Sequence, residues 1–415
     1  MTKKTRKFIL YGLILGFLLA ASGFILYALG WSFNQTTDGS FTFRKTGAIF
    51  LKIRPGDALV KINGKSYAQN HGLFNNGGDL IKGLLPGDYQ IEISKENYGA
   101  WGKKLTVEAG LVSSATKIFL FPEEISAEPV LRKEAEKFWL TDNKKEEIKS
   151  LFYSLKQKQL KLPGKVPIVQ IAPYLFDATK ALVATQKAVY VLDRQNFSLE
   201  ILAPISAQAL AVNDSEIVFL DRQNNLQIYG LANHKIMEKI PLPLPTPLNN
   251  SEQLTEPVEK ITKIALPKSG ARIALLTKEG GLFIYEKPEN ELKLIAEKIK
   301  EFRFSPDNKK VAMLTQNEEI EIIFLEDYRR DFEMAAGEKF KLDLPKKGAP
   351  LDFGWLPEIL DHLIIKYPEE TIIAEIDSRP PTNWWLLGKN VQSFAFDNEN
   401  NLYFLRDNQF LKVVL

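Results

Sequence analysis

Hydrophobic residues run without a charge from Phe8 to Leu29 (FILYGLILGFLLAASGFILYAL), a stretch of 22 residues. As a helix it would be about 33 Å long at ~1.5 Å per residue, enough to cross a hydrocarbon core of roughly 30 Å. Lys3, Lys4, Arg6 and Lys7 precede it, and such a basic flank stays on the cytoplasmic side. The pattern predicts a cytoplasmic tail over 1–7, a single-pass transmembrane helix over 8–29, and an extracytoplasmic remainder. A cleaved signal peptide is the alternative, with Ala20-Ala21-Ser22 as its small-residue site. The apolar run continues past that site and is longer than an ordinary signal core, which favours an uncleaved anchor. Tyr27 and Trp31 fall where interfacial aromatics sit. Gly12 and Gly16 form a Gly-x-x-x-Gly pair with Ala20 on the same face, a pattern that can pack two such anchors into a dimer.

Beyond the helix the period changes from a helical one to about two. Residues 30–46 are short and mostly polar and are predicted to be a stalk. From 47 to 122 the segments AIFLKI, ALVKING, YQIEISK, KKLTVEAG and TKIFLF alternate or run apolar between turn residues. Pro55-Gly56-Asp57, Asn63-Gly64-Lys65 and Pro86-Gly87-Asp88 supply the turns. Proline presets φ, while Gly and Asn accept positive φ, and Asn-Gly is a preferred two-residue hairpin turn. This predicts a small β-sandwich over 47–122, followed by a linker over 123–128.

The motifs of this segment carry a resemblance. RPGDALVKINGKSY, GLLPGDYQIEISKENYGAWGKKLTVEAG and IFLFP are similar to a PEGA domain. Two departures stand out: Pro55-Gly56-Asp57-Ala58 permutes the eponymous turn, and Asn97 stands where that family has Gly before Tyr98. The resemblance implies a surface-exposed, non-catalytic module of bacterial cell-envelope proteins.

From 129 to 415 a unit repeats. An apolar strand, a polar turn and a second apolar strand recur six times, opening at Leu182, Ile217, Ile273, Val311, Leu363 and Leu402. The intervals are 35, 56, 38, 52 and 39 residues, a base period near 37 with two insertions. One insertion holds the Pro-rich 241–257, a stiff connector or a polyproline II ligand. The other spans 326–340. A weaker copy opens at Phe138. A period near 40 with four short strands per unit marks a β-propeller, here of six or seven blades. EFRFSPDNKKVAMLT resembles the WD- and Tol-type propeller repeats. The last blade ends one strand short, so PVLRK (129–133) is predicted to pair with the strand that ends at Leu415 and leave no free edge. The expected fold class is therefore mainly β: a transmembrane helix, a PEGA-like sandwich and a propeller.

Composition narrows the function more than it names it. With 45 % hydrophobic and 25 % charged residues the chain is an ordinary folded one. Net charge is +3, the first seven residues hold +4, and the exterior part is therefore about −1. Such a surface has no basic field for nucleic acid. The absence of cysteine from the sequence removes disulfides, thiolate chemistry and Cys-linked lipidation.

Candidate chemistry is sparse. His71, His234 and His362 share no metal-ligand spacing, and no cofactor is expected. Asp397–Asn401 lacks the Gly and Glu of a calcium loop and reads as a turn, as does Ser305–Asn308. Glu318, Glu319 and Glu321 read as a solvated face rather than a glycosidase pair. Tyr98 and Trp101 read as core packing rather than a sugar-stacking platform. Trp384 and Trp385 are the best binding candidates: neighbours in a strand face opposite ways, so one of the two should be exposed. The function these features support is non-catalytic binding of an envelope protein, a glycan or a cell-wall polymer. The alternatives are a scaffold or sensor subunit of a membrane complex, and a glycan-active enzyme built on a propeller.

Overall fold

The computed structural model describes residues 3–414 except 29, 36–40, 68–76, 132–167, 174–179, 186, 194–197, 206–208, 214, 222–224, 243–259, 268–269 and 398. The chain divides into two compact units. Unit 1 is residues 1–124 together with 329–333 and 377–383, and unit 2 is the rest.

Unit 1 begins with one α-helix, Lys3–Ala28. Its membrane-length span, Thr5–Leu26, is 22 residues long, and its apolar stretch is not buried against protein. The helix extends further into the basic flank than the apolar run does, because Lys and Arg are good helix formers. Two residues beyond its end lies Gly30, whose φ of +87° an L-residue adopts only with strain. The faces of Gly12 and Gly16 are open, with no atom within 4 Å of a Cβ built there. The segment expected to be a stalk is instead a β-hairpin, Trp31–Gln35 paired with Phe41–Lys45. Its register puts Phe33 opposite Phe43, and Trp31 stacks on Phe43 at 4.8 Å between ring centroids. Alternation of aromatic and polar residues in both halves is what a two-stranded ribbon requires.

The rest of unit 1 is two facing sheets. One has the order Asp79–Leu84, Gly47–Arg54, Val112–Phe119; the other has the order Lys65–Tyr67, Leu59–Ile62, Gly87–Ser94, Trp101–Val107. Every second side chain points inward, and Ile49, Leu51, Val60, Ile91, Ile93 and Leu105 are fully buried. Asn63 and Gly64 both have positive φ, 49° and 76°, as a tight hairpin turn requires. Asn97 also adopts positive φ, 61°, so it fills a position suited to Gly. Trp101 is buried and Tyr98 half-buried under Lys95, whose Nζ lies 4.9 Å from the ring centroid.

The two later segments are bound into this unit by hydrogen bonds. The Asp331 carboxylate accepts from Thr116 N at 2.8 Å and from the Ser114 and Thr116 hydroxyls at 3.1 and 2.9 Å. Fully buried Lys103 donates from Nζ to the carbonyls of Arg379 and Pro381 at 3.0 and 2.9 Å. Gly102 N donates to Asn383 Oδ1 at 2.9 Å, and Arg379 Nη1 to Ser114 O at 2.9 Å.

Unit 2 contains six four-stranded antiparallel sheets among its described residues. Sheets I to V cover 168–203, 209–241, 261–296, 299–341 and 352–389 in turn. Sheet VI is 391–414 plus one strand from the start of the unit, Ser126–Val130. That strand pairs antiparallel with Gln409–Val414, with Pro129 opposite Leu411 and Val130 opposite Phe410. It starts inside the expected linker and ends before Leu131. As an outer strand it tolerates a proline, because no further strand needs its missing N–H.

The second strands are the expected apolar runs: Lys180–Thr185, Glu216–Leu220, Arg272–Thr277, Lys310–Thr315, His362–Lys366 and Leu402–Arg406. They are apolar on both faces because side chains on both faces of these strands are buried. In sheet III, Ile273 and Leu275 pack with sheet II residues such as Val218 and Leu226. The alternate residues Ala274 and Leu276 pack with Phe302, Val311 and Met313 of sheet IV. In sheets II, III and IV the residue that opens the second strand ties its sheet to the next. Glu216 pairs with Lys287, Arg272 with Glu326 at 3.2 Å, and Lys310 with Asp361 at 2.6 Å. The weak copy that opens at Phe138 and most of the Pro-rich insertion lie outside the described residues. The 326–340 insertion is described and forms a two-stranded ribbon, Tyr328–Arg329 with Glu333–Met334.

Candidate functional site

Sheet V carries the tryptophan pair. Its outer strand, Trp384–Lys389, pairs with Glu370–Glu375 so that Trp384 lies opposite Ala374 and Trp385 opposite Ile373. Alternation along the strand divides the two indoles. Trp385 is buried, its ring 6.0 Å from that of buried His362. Trp384 is 39 % exposed.

Lys347, from the loop that precedes sheet V, reaches across to this ring. Its Nζ lies 5.1 Å from the Trp384 centroid and forms an ion pair with Glu370. Cation–π contact with Trp is the strongest of its kind, and the carboxylate holds the ammonium in place. An indole, an ammonium and a carboxylate thus share one accessible patch. Such a set can stack on a flat apolar face and hydrogen-bond a polar edge, as a sugar ring or a peptide side chain presents. Neither Lys347 nor Glu370 stands out in the sequence, since no local motif links them to Trp384; the register of sheet V brings them together. Beside them, Tyr367 is buried, and burial pushes its phenol up to about 12.

The other sequence candidates stay apart. His234 lies in an exposed turn with φ 51°, His362 is buried in sheet V, and His71 is outside the described residues. Among the described residues no group of three or more His, Cys, Asp or Glu is placed to hold a metal. Asp397 closes a turn: its Oδ1 accepts from Glu399 N and Asn401 N, both at 2.9 Å. Ser305 donates to Asp307 at 2.6 Å and accepts from Lys310 N at 2.9 Å, likewise a turn. Glu318, Glu319 and Glu321 pair separately with Lys300, Lys341 and Lys339, at 3.7, 2.5 and 3.2 Å.

No protein-family model matches the chain, and no curated protein matches it. Among solved structures it is weakly similar to the extracellular domain of a one component system from B. thetaiotaomicron. That likeness has a TM-score of 0.40 and 12 % identity, over 61 % of this chain and 34 % of the other. A chain of the Mitotic Checkpoint Complex gives a TM-score of 0.38 and 10 % identity, over 61 % of this chain and 78 % of the other. The chain spans about a third of the length of the first of these structures.

Proposed function

We propose that this is a membrane-tethered extracytoplasmic binding protein of the bacterial envelope, acting without covalent chemistry. In this reading Thr5–Leu26 is an uncleaved anchor, residues 47–122 are a PEGA-like module, and sheets I to VI are blades of a β-propeller. Alternate faces of sheet III pack on sheets II and IV, and 126–130 completes sheet VI; both features support the propeller. The copy at Phe138 would supply a seventh blade. The ligand is an envelope protein, glycan or cell-wall polymer, and Trp384, Lys347 and Glu370 form the contact.

The observation that carries this reading is the helix over Thr5–Leu26, long enough to cross a bilayer, with its apolar stretch not buried against protein. A soluble chain exposing so much apolar surface would aggregate, whereas a bilayer covers it. The cysteine-free sequence makes the test direct. Thr5→Cys and Glu96→Cys chains are treated in intact cells with a membrane-impermeant maleimide. Glu96→Cys is expected to label and Thr5→Cys to label only after lysis; the reverse pattern overturns the topology. For the binding role, full-length chain in detergent is used to retain material from envelope extract. Trp384→Ala is expected to lose retention at an unchanged melting midpoint. Equal retention by both chains, or none by either, overturns the assignment of the site.

A further inference from the structure

Gly30, two residues beyond the helix, is held against the sandwich by contacts within unit 1. Gly30 O accepts from Thr46 N at 2.6 Å and from the Thr46 hydroxyl at 2.8 Å. Thr46 O in turn accepts from Gly110 N at 2.9 Å. A Cβ on Gly30 would lie 3.4 Å from Gly110 Cα. The 108–111 turn therefore touches residue 30 directly. Two peptide steps separate Gly30 from Ala28, the last helical residue, so the two Cα atoms are at most about 7.6 Å apart.

That turn presents apolar side chains to solvent beside one carboxylate, Glu108. Leu111 and Val112 are each 57 % exposed, and Phe43 of the adjoining hairpin is 40 % exposed. Arg44 and Lys45, next to Phe43, are also exposed; the turn itself carries Glu108. Apolar and aromatic tips beside cations are what the headgroup layer accommodates, the tips at the acyl boundary and the cations at phosphates. That layer is roughly 5–7 Å deep on each side of the core, the same scale as the step from Ala28 to Gly30.

We propose that the 108–112 turn, with Trp31 and Phe43, is seated in the headgroup layer of the outer leaflet, on anionic phospholipid. The sandwich then rests on the bilayer and does not stand off on a stalk. This rests on the anchor reading above. The opposite end of the same sheet provides the control. In its central ladder Gly87 faces Val107 and Ile93 faces Trp101, so the loop holding Glu96 lies about 20 Å from the turn, at ~3.4 Å per residue.

Full-length Leu111→Cys, Val112→Cys and Glu96→Cys chains are labelled with an environment-sensitive fluorophore. They are reconstituted into vesicles of phosphatidylethanolamine and phosphatidylglycerol that carry a headgroup nitroxide. Resistance to carbonate extraction is scored on the same samples. The expected result is a carbonate-resistant chain quenched several-fold more at 111 and 112 than at 96. A carbonate-resistant chain with equal, weak quenching at all three sites overturns the docking and leaves the anchor intact. A probe at 111 shielded from both the nitroxide and aqueous iodide would mean a second copy covers the turn, which also overturns it. A carbonate-extractable chain overturns the anchor reading and the docking with it.

Discussion

Lys310 shows what a single side chain does in unit 2. Its side chain is 1 % exposed and pairs at 2.6 Å with Asp361, which is 5 % exposed. The ammonium also lies 5.3 to 5.9 Å from the ring centroids of Tyr328, Phe324 and Trp355. An ion pair in such surroundings adds little net stability when intact, but breaking it from one side is costly. Lys310→Met is therefore expected to cost about 3–5 kcal/mol in denaturant unfolding, because Asp361 keeps its charge and loses the ammonium. Lys310→Met with Asp361→Asn should recover much of that loss; a double variant no better than the single would show that the side-chain volume, not the charge, matters. At this scale the sequence was partly informative. Ser305-Pro306-Asp307-Asn308 is legible as a turn, and its bonds are those such residues make. Lys310 also lies 3.4 Å from Asp307 of that turn, but its shorter pair with Asp361 was not legible, since Asp361 comes from the next sheet and only the stacking of sheets brings it near.

At the scale of elements, what can be read depends on how each strand is buried. The second strand of each sheet is covered on both faces, so it reads as an unbroken apolar run. Its opening residue is placed from sequence to within two positions in every sheet. Outer strands are covered less and lose the signal: Lys235–Pro241 has a single buried residue, Ile240. The Trp31–Lys45 hairpin escaped for a related reason, since a ribbon with two short polar-rich strands gives little periodicity. Trp384 and Trp385 were separable because alternation alone assigns them to opposite faces. The closing strand was legible from what the last repeat lacked, although its register was not. Glu128 lies opposite Lys412, and directly opposed antiparallel residues have Cα atoms about 4.5–5.5 Å apart. That spacing is within the range a disulfide spans. Glu128→Cys with Lys412→Cys should therefore oxidise to a cross-link, read as a mobility shift after proteolysis. Closing so long a loop is expected to stabilise the chain by up to about 5 kcal/mol. Failure to cross-link under oxidant would contradict the register.

At the scale of the whole chain, unit 1 is discontinuous, and this was the least legible feature. The expected boundaries, 122 and 129, run linearly because turn residues and repeat periods report only on neighbours in sequence. Yet 329–333 and 377–383 belong to unit 1. The first had appeared only as part of an insertion. Lys103 makes the consequence measurable. Its ammonium is fully buried, and its acceptors are the carbonyls of Arg379 and Pro381, with Asp377 at 3.9 Å. A fragment of residues 31–124 would carry Lys103 without these three groups, and a buried ammonium that loses acceptors opposes folding. Lys103→Met should thus act with opposite signs in two settings. In the isolated fragment it should raise the denaturation midpoint, because the desolvated charge is removed. In the full chain it should lower the stability of unit 1 by about 2 kcal/mol or more, since charged hydrogen bonds to two carbonyls are lost. The same sign in both would mean that Lys103 does not depend on the 377–383 segment, and that unit 1 folds as a continuous stretch ending near Glu124.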